Sequence, residues 1–140
     1  NIFTHSNSVI GGLVCGQVFP NDKKIQIVFY DTGIGIAKNV CKLESSIGSD
    51  EKAIEWALRR GTSTLASESV SRGLGLYLLR KFLEVNEGDF RIYSNLGSVQ
   101  EIAGKQHLQK LEYPIEGTLI DLRINIRNDL KYILTSEVEV

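Results

Sequence analysis

Residues 25–36, IQIVFYDTGIGI, constrain the fold of this chain more than any other stretch. The first six are mostly β-branched or aromatic and alternate with a polar residue, as a half-buried strand does. The strand then ends on Asp31, and Gly33 and Gly35 follow at alternate positions. Glycine at a strand exit permits a turn or a close approach of backbone to another group. Asp31 can cap such a turn or bind a ligand, and this stretch alone leaves both open.

The surrounding sequence supplies the partners a strand needs. VIGGLVCGQVF (9–19) is a glycine-interrupted apolar run, and PNDKK (20–24) has turn composition, so the two runs predict a β-hairpin. AKNVCKLESSIGSD (37–50) is polar and reads as irregular. SDEKAIEWALRRG (49–61) predicts a helix with Ser49 or Asp50 as cap, Ile54, Ala57 and Leu58 as its apolar stripe, and Gly61 as its stop. TSTLASESVS (62–71) reads as a mobile loop.

RGLGLYLLRKFLEVNEG (72–88) is the most periodic segment, with Leu74, Leu78 and Phe82, joined by Leu79 and Leu83, predicted to line one helix face up to a break at Asn86. DFRIYS (89–94) and GTLIDLRINI (117–126) read as strands, the latter with Ile120, Leu122 and Ile124 on one face. The residues between them have room for another strand and a loop, and the tail from Arg127 onward is ambiguous. The predicted class is an α/β (α+β) two-layer sandwich, with a mixed, mostly antiparallel sheet and helices on one face.

A chain of 140 residues suits one domain, here 1–140. Its net charge of −1 gives no basis for nucleic-acid contact or an anionic-membrane surface. No apolar run is long enough to span a bilayer as a helix. Cys15 and Cys41 fit neither zinc spacing nor a disulfide framework, so reduced thiols and a cytoplasmic setting are expected. The first residues read as the inside of a helix and the chain holds no methionine, so an N-terminally truncated fragment of a longer protein is expected.

Two further features bear on function. Gly73 and Gly75 open the long helix, whose first N–H groups are unpaired and whose dipole is positive there. Glycine at that place lets an anion such as phosphate come close. Asn1 and His5 are one helical turn apart, and an asparagine oxygen can serve Mg²⁺ when phosphates and water complete its octahedron. No P-loop pattern is present, and neither glycine pair carries the third glycine of the dinucleotide fingerprint.

Together, NIFTHS (1–6), DTGIGI (31–36), SRGLGLYLLRKF (71–82) and EGTLIDLRI (116–124) resemble the N box, G1 box, G2 box and closing strand of the GHKL superfamily of ATP-binding domains. That superfamily includes gyrase-type topoisomerases, heat-shock chaperones, histidine kinases and mismatch-repair ATPases. AIEWALRRGTSTLASESVS (53–71) resembles the ATP lid. The likeness is nearest to bacterial histidine kinases and anti-sigma serine kinases, and implies the Bergerat fold.

The resemblance implies a role for each matching position. Asn1 would bind Mg²⁺, and Asp31 would accept the adenine amino hydrogen. Gly33 and Gly35 would admit backbone and water to the base. Gly73, Leu74 and Gly75 would face the phosphates, with His5 and Arg72 beside them. Thr118 would support the adenine end through water. The expected activity is that of the ATP-binding module of a protein kinase in signalling, with ATP or ADP and a phospho-accepting protein as partners. A non-enzymatic nucleotide-sensing switch and an ATPase clamp are the alternatives. The acid that activates a nucleophile in this superfamily would precede Asn1, so no catalytic residue is assigned.

Overall fold

A computed structural model describes residues 11–59 and 75–129. Strands β1 (Gly12–Phe19) and β2 (Lys24–Asp31) form the expected hairpin, from Gly12 opposite Asp31 to Phe19 opposite Lys24. Its turn closes with the Lys23 N–H donating to the Pro20 carbonyl at 3.2 Å, Lys23 holding a left-handed φ of 50°. Helices α1 (Ile36–Leu43), α2 (Asp50–Ala57) and α3 (Gly75–Asn86) follow, then β3 (Asp89–Ile102) and β4 (Lys105–Asn125). The strand order is β1-β2-β4-β3, and every pairing among these strands is antiparallel.

The register explains why the helices share one face. Ile27, Leu122 and Phe90 stand in one row across three strands, and Phe29, Ile120 and Ile92 in the next. Side chains alternate across a sheet, so both rows point to the same side. There they meet Ile54 and Leu58 of the α2 region and Leu83, Leu79 and Leu76 of α3. The predicted two-layer sandwich is thus built from the apolar parity of β2, β3 and β4. Among the described residues no helix is long and apolar enough to cross a membrane.

Three local expectations are corrected. Residues 37–50 are not wholly irregular, because Ile36–Leu43 form α1, which buries Ala37 and Val40 against Ala53. Leu78 is not on the packed face of α3: it is 42% exposed, and Leu76 packs beside the expected Leu79, Phe82 and Leu83. The segment after Asn95 holds no separate strand and loop. β3 runs on to Ile102 and turns through Ala103 and Gly104, both with positive φ, directly into β4. Gly61, the Ser/Thr-rich segment 62–71, Asn1, His5, Arg72, Gly73, Leu74 and the tail from residue 130 lie outside the described residues.

β3 doubles back. A straight strand of its 14 residues would hold its ends about 45 Å apart at ~3.3 Å per residue. Yet the Ala103 N–H donates to Asp89 Oδ1 at 3.0 Å, so the strand's two ends meet. The reversal falls where the ladder is broken, between Ser94 and Gly97. Here β3 advances from Asn95 to Gly97 while β4 passes from Ile115 to Lys110, so β4 carries surplus residues, Pro114 among them. Proline lacks a ladder donor and is tolerated at such a bulge. Asp50 Oδ2 accepts the Leu96 N–H at 2.8 Å and fastens α2 to the bend.

The end of α3 is fixed by a Schellman arrangement. The Gly88 N–H reaches the Leu83 carbonyl at 2.9 Å and the Glu87 N–H the Glu84 carbonyl at 3.3 Å, with Glu87 at φ 57°. Gly88 is needed there for space, since a Cβ would collide with the Arg123 carbonyl oxygen.

Candidate functional site

The apolar rows of the inner sheet face stop at a polar one. Asp31 pairs with Thr118, and Thr118 with Ser94, so three polar side chains continue the face built by Phe29, Ile120 and Ile92. All three are nearly closed to solvent: Asp31 is 6% exposed, Thr118 6% and Ser94 0%. Buried polar groups must be hydrogen-bonded or cost free energy. The bonds of this row therefore define the site.

Asp31 Oδ1 accepts the Gly33 N–H at 2.8 Å, which turns the chain directly after β2. Oδ2 has no hydrogen-bond partner among the described residues. Burial raises the Asp31 pKa above the usual carboxylate value, and the Gly33 N–H partly opposes this. A ligand group donating to Oδ2 would restore the balance toward the ionised form.

The loop from Asp31 to Gly35 is held from outside. Gly35 is the N-cap of α1, with φ 86°, and has no side chain with which to cap. Helix N-termini leave N–H groups unpaired, and a cap residue ordinarily supplies an acceptor. β3, with Thr118 of β4, supplies it here. The Ile36 N–H donates to Ser94 Oγ at 2.8 Å and, more weakly, to Thr118 Oγ1 at 3.3 Å. The Lys38 N–H donates to Asn95 Oδ1 at 3.2 Å, while Asn95 Nδ2 donates to the Ile34 carbonyl at 3.2 Å. Ser94 Oγ also donates to the Gly117 carbonyl at 2.9 Å.

Glycine is required at two points of this assembly. A Cβ on Gly35 would stand 2.5 Å from Asn95 Oδ1 and 2.6 Å from Ser94 Oγ. One on Gly117, at φ 76°, would collide with the Asp31 carbonyl oxygen. The sequence-predicted residues Asp31, Gly33, Gly35 and Thr118 are thus brought together. Gly33 contributes its N–H, whereas Gly35 serves close packing against β3. Gly75 is the exposed first residue of α3, and no described hydrogen bond ties it to the Asp31 row.

Sequence reasoning missed Ser94 and Asn95. The signal was a polar residue at the parity of Phe90 and Ile92, visible once the phase of β3 is known. A cleft of about 840 Å³ opens beside the same loop, between Thr32–Ile34 and the bend at Asn95 and Pro114–Gly117. Asp31 does not line it. No group of three His, Cys, Asp or Glu side chains among the described residues could hold a metal ion.

No family model matches the chain, and no curated protein matches it. The site presents a buried carboxylate with one oxygen available, beside two hydroxyls, on a loop fixed by distant side chains. A carboxylate and hydroxyls so placed can accept hydrogen bonds from a polar ligand group.

Proposed function

We propose that this chain binds ATP, with the adenine edge against Asp31 and Thr118, as the nucleotide-binding module of a cytoplasmic protein kinase of the histidine or serine type. The observation that carries the reading is Asp31: a buried carboxylate whose Oδ2 has no partner among the described residues. Adenine presents an amino donor where guanine presents a carbonyl acceptor, so an ionised Asp31 selects between them. Thr118 would reach the base through a bridging water. The GHKL likeness of residues 31–36 and 71–82 supports the same base-to-phosphate order along the chain.

Mg²⁺ would neutralise phosphate charge, and Asn1 is its proposed ligand, with phosphates and water filling the other positions. Gly73, Leu74 and Gly75, with His5 and Arg72, are the proposed phosphate neighbours, and the N–H groups at the start of α3 suit that task. The phospho-accepting group belongs to a protein partner in this reading.

The test is calorimetric titration of a non-hydrolysable ATP analogue with Mg²⁺, beside the GTP analogue and the Asp31→Asn variant. ATP-selective binding that weakens about 10- to 100-fold in the variant is expected, the range for a hydrogen bond to a charged group. Equal binding of both nucleotides, or undiminished binding by Asp31→Asn, would refute it.

A further inference from the structure

The bonds around Gly35 assign tasks to two residues that never need to touch a base. We infer that Ser94 and Asn95 are positioning residues for the base pocket: they cap α1 from β3 and so set where the Asp31–Gly35 loop presents its backbone and Thr118 its hydroxyl. The inference rests on the reading of this loop as an adenine site.

The spacing itself argues for the role. The acceptors for the first N–H groups of α1 come from residues 58 and 57 positions away, because Gly35 can offer none. Asn95 holds the loop at two points, Ile34 and Lys38, and does so from a left-handed φ of 54° that asparagine tolerates well. Ser94 joins the loop to β4 through Ile36 and Gly117. Gly117 in turn packs on the Asp31 backbone. A shift of this clamp would move the loop and the residue beside Asp31 together.

The Ser94 hydroxyl bears on selectivity as well. A serine hydroxyl has one proton and two acceptor positions. The Ser94 proton goes to the Gly117 carbonyl at 2.9 Å, and one lone pair receives the Ile36 N–H. Thr118 Oγ1 lies 3.3 Å from Ser94 Oγ, a contact in which either hydroxyl can donate. With the Ser94 proton on the Gly117 carbonyl, a nearer acceptor than Asn95 Oδ1 at 3.5 Å, Thr118 is the donor. One of the Thr118 lone pairs receives the Ile36 N–H. Thr118 is then left with acceptor capacity toward the pocket, as is Asp31 Oδ2. A water bridging Thr118 to an acceptor on the base edge would donate to both. Removing the Ser94 hydroxyl frees the Thr118 proton, which could then serve a base carrying a carbonyl at that edge.

The experiment compares the parent chain with Ser94→Ala and Asn95→Gly, the glycine being chosen because it keeps the positive φ and removes only the side chain. Titrations use non-hydrolysable analogues of ATP and ITP with Mg²⁺, after circular dichroism has shown each variant folded. Both variants are expected to weaken ATP-analogue binding about tenfold, the scale of one or two lost hydrogen bonds. Ser94→Ala is also expected to narrow the preference for ATP over ITP several-fold, a change that general destabilisation would not produce. Unchanged affinity and preference in both folded variants would overturn the inference while leaving ATP binding intact. A parent chain that binds no ATP overturns the nucleotide reading first and this inference with it. Should a variant fail to fold, amide exchange in the parent decides: the Ile36 and Lys38 amides should be protected and slow further with nucleotide, and no response to nucleotide would overturn the clamp.

Discussion

Gly117 sits against the Asp31 carbonyl so closely that no side chain fits between them. Its φ of 76° is also a conformation that L residues rarely adopt. Gly117→Ala thus adds strain in φ to a backbone collision that no side-chain rotation can relieve. A loss of roughly 2–4 kcal/mol in unfolding free energy is expected. Gly104 is the control: φ is 72°, but the space around its Cβ is open. Gly104→Ala should cost only about 1 kcal/mol, the strain alone. Urea unfolding of the two variants checks the difference, and equal losses would show that the Asp31 contact does not matter.

What could be read in advance depended on how local its cause was. The β1–β2 hairpin follows from alternation and from turn composition at residues 20–24, both short-range signals. Asp31 and its glycines were legible because their own spacing marks a strand exit. α1 was not, because its N-terminus lacks a capping residue in sequence and takes its acceptors from Ser94 and Asn95. The doubling back of β3 was equally hidden. It is held by Asp89 with Ala103 and Asp50 with Leu96, contacts between residues 14 and 46 positions apart that leave no periodic signal in the sequence. Leu78 was grouped with Phe82 by a four-residue spacing, whereas the packed face runs through Leu76, Leu79, Phe82 and Leu83.

The pH dependence of the site follows from Asp31. Burial raises its pKa above the ordinary 3.8, so the folded chain holds this proton more tightly than the unfolded chain does. The group's contribution to stability is therefore full below the unfolded value and is lost as pH rises through the raised folded value. Nucleotide binding runs the other way. A donor on Oδ2 favours the carboxylate, so ATP affinity should climb over that same window and level off above it. Titrations across pH 4 to 7 (an interval set by the ordinary carboxylate range of about 4) should show proton release on binding at the acid end. Asp31→Asn should flatten the stability curve and remove the Asp31 part of the binding curve, leaving only the response of the nucleotide's own phosphate, which titrates at about 6. An unchanged pH response in that variant would assign the titration elsewhere.

Asn86 takes the place of a strand residue at the end of the sheet. Its Oδ1 accepts the Asn125 N–H at 2.7 Å and its Nδ2 donates to the Asn125 carbonyl at 2.9 Å, at 1% exposure. Asn86→Ala would leave both backbone groups of Asn125 without this partner. A loss of about 2–3 kcal/mol is expected, from two hydrogen bonds and the desolvation of their remaining halves. Asn86→Asp keeps the acceptor but sets a carboxylate oxygen against a carbonyl. It should therefore be less stable at neutral pH than under acid conditions, where the protonated oxygen can donate. Unfolding midpoints at the two pH values, each referred to the parent's, read that sign directly.

Arg80 joins α3 to the returning arm of β3. Its Nε lies 2.8 Å from Glu101 Oε2, and the two side chains are 33% and 11% exposed. Truncating the arginine strands a nearly buried carboxylate, whereas removing both charges strands nothing. The expected cost of Arg80→Ala is about 1–3 kcal/mol, below the range for a fully buried pair because water reaches the guanidinium. Glu101→Gln should cost less, since its amide oxygen still accepts from Arg80. Arg80→Ala placed on Glu101→Gln should then cost less than it does on the parent. A double-mutant cycle in urea measures that coupling. If the two losses simply add, the link between α3 and the arm is packing by Leu83 and Val99 rather than this ion pair.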